Sequence, residues 1–200
     1  MQPIAFLNFG KLITTAYLVG ACLFATTAAA QPNTAPSPQI AAIAQAVLPH
    51  QEQDYLAIID KARQQFAAGK SADARRNARL GLQIKVHEFM GLTHSAEDWI
   101  GIYKDNKRAE NGDRSIEIEI APGVILTTWD NSYVDANYRT MVRPRSSLAR
   151  TLDGLSIGDA VRFSADLIGE VISTDDAMVL QPRIVASFSK LQKLSDTGAQ

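Results

Sequence analysis

The sequence predicts an α+β protein in which an N-terminal helical segment precedes a small five-stranded β-barrel. Residues 98–131 contain three consecutive strand candidates, joined by a polar turn at Asn111-Gly112 and by a turn at Pro122-Gly123. Two more strand candidates follow, after a short helix-like segment at residues 146–152. A three-stranded meander, a helix and a two-stranded hairpin are the order of an OB-fold, so an OB-fold-like barrel is expected. A small SH3-like barrel or a β-sandwich is the alternative.

Alternation of apolar and polar residues supports the strand assignments. Ser115–Ile120 reads SIEIEI, which directs three isoleucines toward a core and leaves Glu117 and Glu119 facing water. The third strand is predicted at Val124–Trp129 and the fourth at Ala160–Ile168.

The last strand is predicted at Met178–Phe188, with an interruption at Pro182 because proline has no amide hydrogen to donate. A polar tail follows, in which Leu191 and Leu194 lie at helical spacing. Residues 96–194 therefore form the predicted barrel domain, and residues 195–200 form a tail. A polar loop is expected at residues 130–145, and Ser146 and Ser147 are candidate caps for the short helix.

The predicted helical region covers residues 39–92 in three parts. Gln39–Leu48 is rich in alanine, and Pro49 ends or kinks it. A second helix is expected at Gln51–Ala68, with Gly69 as its stop signal. The third, Ser71–Met90, begins at a capping serine, although the alternation in its second half is also typical of a strand.

The first thirty residues are predicted to be a signal peptide rather than part of the fold. Lys11 precedes the apolar stretch Leu12–Ala25, and small residues then lead to cleavage after Ala30. Residues 31–38 are rich in proline and small polar side chains, as in a flexible lead-in. An alternative is a lipoprotein signal, in which Cys22 of the sequence Val-Gly-Ala-Cys carries the lipid. Either interpretation places the protein in the periplasm, outside the cell, or on a membrane through its anchor.

Composition and motifs exclude several chemistries. Cys22 is the only cysteine, so a chain cleaved after Ala30 has no disulfide, no cysteine nucleophile and no thiolate metal site. The motifs of nucleophile-elbow hydrolases, P-loops and dinucleotide-binding turns are missing from the sequence. The three histidines, His50, His87 and His94, do not have the spacing of a zinc-binding helix. No catalytic residue, metal or other cofactor is therefore predicted.

The net charge of −1 hides a local excess of basic residues in the third predicted helix. Arg75, Arg76 and Arg79 would cluster on one side of that helix. An anionic partner is one interpretation of this basic helix patch. The other is a solvated face, or pairing with the barrel, since residues 91–200 hold 16 acidic and 12 basic residues.

Ligands of OB-folds bind on the second and third strands and in the adjoining loops. The basic and aromatic candidates there are Lys107, Arg108, Arg114, Trp129, Tyr133 and Tyr138. The rings could stack on a base or a sugar, or they could anchor the core or the loops. Nucleic acid is disfavoured as a ligand, because the glutamates predicted on the exposed face of the second strand repel phosphate.

Several short motifs are similar to those of a group of bacterial secreted proteins of unknown function. These motifs are Trp99-x-Gly101, the run Ile116–Ile120 with Gly123, Thr127, Ser146-x-Leu148 and Gly158-Asp159-x-Val161-x-Phe163-Ser164. The resemblance covers residues 96–194, and the helices before them more loosely. It implies an OB-fold-like domain behind a helical region, and it implies no catalytic residues.

The function expected from the sequence is a secreted or periplasmic, non-enzymatic binding or interaction module of the bacterial cell envelope. Its partner would be another envelope protein or an envelope component, with membrane contact only through a lipidated Cys22. One alternative is an envelope hydrolase, or an accessory to one, that uses the loop carboxylates Asp130, Asp135, Asp175 and Asp176. Another is a barrel that binds single-stranded nucleic acid or an oligosaccharide.

Overall fold

The computed structural model describes residues 48–170 and 175–194. Two long helices come first and a closed barrel of five strands follows, so the predicted α+β architecture is confirmed. The helices are α1 (His50–Ala68), α2 (Ala72–Leu92), α3 (Ser132–Tyr138), α4 (Ser147–Asp153) and α5 (Ala177–Leu180). The strands are β1 (Ser95–Arg108), β2 (Arg114–Ala121), β3 (Val124–Thr127), β4 (Ala160–Glu170) and β5 (Arg183–Lys193).

The strand order around the barrel is β1-β2-β3-β5-β4, and β4 closes the ring by pairing with β1. The pairing of β3 with β5 is parallel, and the other four pairings are antiparallel. The capped helix α4 lies between β3 and β4, where Ser146 accepts a hydrogen bond from the Ala149 amide at 3.0 Å. This connectivity is that of an OB-fold-like barrel, as the order of the sequence patterns predicts.

The two long helices form a hairpin joined by residues 69–71. Ser71 caps α2 by accepting a hydrogen bond from the Ala74 amide at 3.1 Å. The ambiguous alternation in α2 reflects two helical faces: Leu82 and Val86 are buried, whereas Leu80 and Ile84 are exposed. Residues four apart lie on the same side of a helix, so a helix accounts for the pattern without any strand.

An aromatic cluster fills the seam between the hairpin and the barrel. Tyr55 of α1 and Phe89 of α2 pack against Trp99 of β1, with ring centroids 5.7 and 6.5 Å from the indole. Trp99 also meets Phe163 of β4 edge to face at 6.5 Å. The helices and the barrel therefore share one continuous hydrophobic core.

Polar side chains of the first turn of α1 fix its position on β1. Gln51 accepts a hydrogen bond from the Trp99 indole at 2.9 Å and donates one to the Ser95 carbonyl at 2.7 Å. Glu52 is fully buried and accepts a hydrogen bond from the Ile100 amide at 3.0 Å. Removal from water raises the pKa of Glu52 to about 7.

The glycine of the Trp99-x-Gly101 motif allows two strands to approach closely. A Cβ atom at Gly101 would lie 2.4 Å from Ile118 Cγ2 and 2.9 Å from the Glu119 carbonyl oxygen. Both distances are shorter than van der Waals contact, so a side chain at this position would push β1 away from β2. The motif is thus explained by packing.

Three details of the sequence prediction are wrong. The strand predicted at Met178–Phe188 begins as the helical turn α5, and β5 starts only after Pro182, whose carbonyl accepts a hydrogen bond from the Ile125 amide at 3.0 Å. Leu191 does not start a helical tail, because it is a buried residue of β5. The third strand ends at Thr127 instead of Trp129, and the predicted polar loop contains α3.

Other predictions fall outside the described residues. These are the signal peptide, the alternative lipid site Cys22, the flexible lead-in, most of the helix at Gln39–Leu48 and the tail at residues 195–200. Among the residues that the structure describes, none of the helices has the length and apolar character needed to cross a membrane.

Candidate functional site

The face of β2 and β3 where OB-folds bind ligands is occupied by ion pairs within the chain. Glu117 pairs with Arg183 of β5, and Glu119 pairs with Lys104 of β1 at 3.0 Å. Glu119 also accepts a hydrogen bond from the Gly123 amide at 2.8 Å. Both glutamates are partly buried and neutralised instead of pointing freely into water.

The three candidate aromatic residues do not form one stacking surface. Trp129 is half-buried and its ring lies 6.0 Å from that of Tyr138, while its amide donates a hydrogen bond to Thr140 Oγ1 at 2.8 Å. Tyr133 is 87% exposed and is not paired with either ring. Trp129 and Tyr138 therefore act as anchors that hold α3 against the end of β3.

A buried carboxylate organises the loop between α3 and α4. Oδ1 of Asp135 accepts hydrogen bonds from the Thr140 amide, from its hydroxyl at 2.8 Å and from the Met141 amide at 3.0 Å. Arg143 contacts both Asp135 and Asp113, and these two carboxylates are almost completely buried. The sequence suggested Asp135 as a possible catalytic carboxylate, whereas in the structure it is fully engaged in holding the loop.

The remaining loop carboxylates do not join Asp135. Asp130 is exposed, and Asp175 accepts a hydrogen bond from the Ala177 amide at the start of α5. Asp176 pairs with Arg79 of α2 at 2.7 Å. In the described part of the chain, no three His, Cys, Asp or Glu side chains are grouped so that they could hold a metal ion.

A cavity of about 490 Å³ opens beside the turn between β1 and β2, and we call it the arginine pocket. Four arginines and one carboxylate line it, together with small and apolar residues. The charged residues are Arg108, Arg114, Arg145, Arg150 and Asp153. Two of the six ligand-binding candidates, Arg108 and Arg114, therefore lie in one cavity.

Backbone contacts bring the walls of the arginine pocket together. Arg114 and Val142 exchange two backbone hydrogen bonds of 2.9 Å, which attach the loop before α4 to the first residue of β2. Pro144 then covers the turn at Gly112, where an added Cβ would be 3.2 Å from the proline ring. Arg145 and Arg150 reach the pocket only because of this long-range contact, so no local pattern in the sequence pointed to them.

Lys107 points away from the pocket. It pairs with Asp105 on the same strand at 3.2 Å, and this hydrogen bond raises the pKa of the lysine. Successive residues of a strand face opposite sides, which separates Lys107 from Arg108.

The basic helix patch predicted on α2 is also divided. Arg75 packs over the Phe66 ring at 5.6 Å and donates a hydrogen bond to the Gly69 carbonyl, while Arg79 reaches Asp176 of the barrel domain. Arg76 is exposed. Two of the three arginines thus serve the internal structure of the chain.

An apolar groove on the helical hairpin was not predicted from the sequence. The groove lies between α1 and α2, has a volume of about 490 Å³ and is called the hairpin groove below. Residues that line it include Ala57, Ile58, Lys61, Gly81, Ile84 and Lys85. The sequence contains one signal for this groove: Ile84 is one of the exposed apolar residues in the alternating pattern of α2.

A second groove lies on the opposite side of Ile84, between α2 and β4. Its walls include His87, His94, Ile168 and Glu170. Burial raises the pKa of the Glu170 carboxyl to about 7. Ile84 is 58% exposed, and it forms a ridge between this groove and the hairpin groove.

Comparison with models of protein families and with curated proteins finds no match for this chain. The resemblance to bacterial secreted proteins of unknown function therefore stays a prediction. The arginine pocket and the hairpin groove are therefore interpreted from their own residues.

Proposed function

We propose that the protein is an exported, non-enzymatic interaction module that binds another cell-envelope protein through its helical hairpin. The observation that carries this proposal is the apolar ridge at Ile84, which is 58% exposed between two grooves. Exposed apolar surface beside a groove supports a docking role, because water contact with it is unfavourable and a partner relieves that contact. Export is supported by the pattern of residues 1–30.

The form of the hairpin groove suits a helix of the partner. Small residues, Ala57 on α1 and Gly81 on α2, line it, and an added Cβ at Gly81 would meet no atom within 4 Å. A helix can therefore approach closely there and place apolar side chains beside Ile58 and Ile84. Recognition of an amphipathic helix in a groove is a common mode of peptide binding.

Charge complementarity predicts a charged residue at the edge of the apolar face of the partner helix. The ionisable side chains that line the hairpin groove are Lys61 and Lys85. Lys85 has a neighbouring carboxylate, Glu88, at 2.6 Å, whereas Lys61 forms no ion pair with any described residue. The partner helix is accordingly expected to carry an acidic residue that faces Lys61.

The remaining surfaces agree with a binding role rather than a catalytic one. The carboxylates considered for hydrolysis are either exposed singly or used to hold loops, and they do not converge on one cavity. General acid–base catalysis needs groups that lie within reach of the same reacting atoms. The barrel thus acts as the rigid support that presents the hairpin.

The test uses a photo-crosslinking amino acid at position 84 in the full chain, with position 157 as the matched control. Ile84 and Ile157 are both exposed isoleucines, but Ile157 lies in a loop before β4. We expect one envelope protein to be crosslinked at position 84 and not at position 157. The purified partner should then lose about ten-fold in affinity with Ile84→Glu and keep its affinity with Ile157→Glu.

Two outcomes would overturn this proposal. Equal crosslinking at both positions would show that the crosslinker captures neighbours from any exposed position. A crosslink from position 84 to residues 39–48 of the same chain would assign the hairpin groove to the protein's own predicted helix.

A further inference from the structure

We infer that the arginine pocket binds a phosphate-bearing small ligand, independently of any partner on the hairpin. The pocket concentrates positive charge to a degree that the fold itself does not need. Four guanidinium groups line it and one carboxylate, Asp153, opposes them. Guanidinium groups stay protonated at all physiological pH values, so this repulsion is not relieved by loss of a proton.

The pairing of charges within the pocket is incomplete. Arg114 has a carboxylate partner: its side chain is 11% exposed, and it pairs with Asp153 at 2.5 Å. Arg108 and Arg145 form no ion pair with any residue in the described ranges. Arg150 donates a hydrogen bond at 3.3 Å to the backbone carbonyl of Arg145, which leaves its charge uncompensated.

Arg108 and Arg145 occupy positions in the pocket that are unfavourable for the fold. Arg108 and Arg114 stand directly opposite each other on β1 and β2, where like charges destabilise a strand pair. Arg145 has a φ of 65°, a left-handed conformation that is unfavourable for a side chain other than glycine or asparagine. Structural needs would be met better by other residues at both positions, so a bound anion is the simplest reason for arginine.

Phosphate matches this arrangement better than other anions. Its oxygens accept paired N–H bonds from planar guanidinium groups, and its double negative charge suits several arginines at once. The volume of about 490 Å³ is larger than one phosphate needs and is within the range of small-molecule sites. The ligand is therefore expected to carry a phosphate on a larger body, such as a phosphorylated sugar, or to contain two linked phosphates.

The experiment measures binding of pyrophosphate and of a sugar phosphate to the full protein by isothermal titration calorimetry. Citrate, a carboxylate of comparable charge, is the ligand control. We expect Arg145→Gln and Arg150→Gln each to weaken phosphate binding about ten-fold or more. Arg76→Gln, which changes an exposed arginine of α2, should leave it unchanged. Tighter binding of the sugar phosphate would indicate a phosphorylated sugar as the ligand, and tighter binding of pyrophosphate would indicate two linked phosphates.

A stability measurement separates ligand binding from a structural role. Arg108→Gln removes one of two opposed charges, so we expect thermal unfolding at the same or a higher temperature together with weaker phosphate binding. A lower unfolding temperature would show that Arg108 is structural and would overturn the inference. The inference also fails if citrate binds as tightly as the phosphates, or if single-stranded DNA binds more tightly than either.

Discussion

The seam between hairpin and barrel and the arginine pocket both contain ionisable groups in unfavourable surroundings, but the nature of the cost differs. In the seam, Glu52 of α1 is buried against β1, and one of its oxygens has no hydrogen-bond partner among the residues that the structure describes. In the pocket, Arg145 and Arg150 are exposed to solvent and line the same cavity as two further arginines. Desolvation penalises the first group, and mutual repulsion penalises the second.

The two costs are relieved by different events. A proton neutralises Glu52, whose pKa of about 7 makes this possible near neutral pH. Arginine keeps its proton at physiological pH, so only an anion can relieve the repulsion in the pocket. The seam should therefore respond to pH and the pocket to phosphate, and substitutions in each region should affect one response and not the other.

Trp99→Ala in the seam should have the greatest effect on stability. Trp99 is fully buried and contacts rings of α1, α2 and β4, so its loss leaves a cavity between the hairpin and the barrel. The free energy of unfolding should fall by about 4 kcal/mol, measured by urea denaturation. Trp129→Ala is the control, because Trp129 is only half-buried and should cost about half as much. Equal losses of unfolding free energy would show that Trp99 stabilises the fold no more than a half-buried tryptophan does.

The next effect is a pH dependence of stability that arises from Glu52. Its folded pKa of about 7 exceeds the ordinary value of 4.5, so between these values the folded state binds more protons than the unfolded state. The contribution of Glu52 to the free energy of unfolding should therefore fall by about 3 kcal/mol as the pH rises from 4.5 through 7. It should stay level at higher pH. Urea denaturation at roughly pH 5 and pH 8 measures this difference.

Glu52→Gln tests the assignment of that pH dependence. The amide oxygen of glutamine can still accept the hydrogen bond from Ile100, but it does not titrate. The difference between the two pH values should shrink to the part contributed by Glu170, which has its pKa raised in the same direction. Glu88→Gln, at an exposed position of α2, should preserve the full difference. An unchanged pH dependence in Glu52→Gln would show that another group causes it.

A smaller effect is expected from Asp135→Asn at the base of the loop that carries Arg145. Asparagine removes the charge that faces Arg143 and turns an amide toward the guanidinium, so the free energy of unfolding should fall by about 2 kcal/mol. Phosphate affinity should fall as well, since the loop forms one wall of the arginine pocket. Asp130→Asn is the exposed control and should change neither quantity. Retained phosphate binding in Asp135→Asn would show that phosphate affinity does not depend on this loop.

Arg183→Gln on the barrel face should change stability least. Arg183 pairs with Glu117 at the partly exposed surface, and such pairs contribute about 0.5 kcal/mol. Calorimetry should show phosphate binding unchanged, because this arginine has its own carboxylate and lies outside the pocket. Weaker phosphate binding in this variant would mean that general positive charge, and not the pocket, attracts the anion.

The order of the elements could be predicted from local patterns, and their exact ends could not. The alternation at Ser115–Ile120 and the capping serines at positions 71 and 146 are short-range signals, and all three elements are present. The region around Pro182 misled the prediction because Met178 and Val179 are apolar as in a strand. They are instead buried by the helical turn α5, and the chain enters β5 only after the proline.

The candidate surfaces were predictable only in part. Arg108 and Arg114 flank a turn that the sequence reveals, so their proximity follows from hairpin geometry. Arg145 and Arg150 are separated from that turn by more than thirty residues, and the backbone bonds between Arg114 and Val142 bring them to it. The role of Asp135 was likewise hidden, because its donors come from a loop whose path depends on tertiary contacts.

The sequence alone determines the fold class and the order of the strands, because both depend on periodicity and turns. It also shows that several catalytic motifs are missing, because a motif is defined by residue type and spacing. Which charged groups meet is set by tertiary contacts, which pair Glu117 with Arg183, bury Glu52 and bring four arginines to one cavity. The same contacts leave Ile84 exposed while Leu82 is covered. Charge pairing and exposure depend on neighbours that are distant in the chain, and local patterns do not record them.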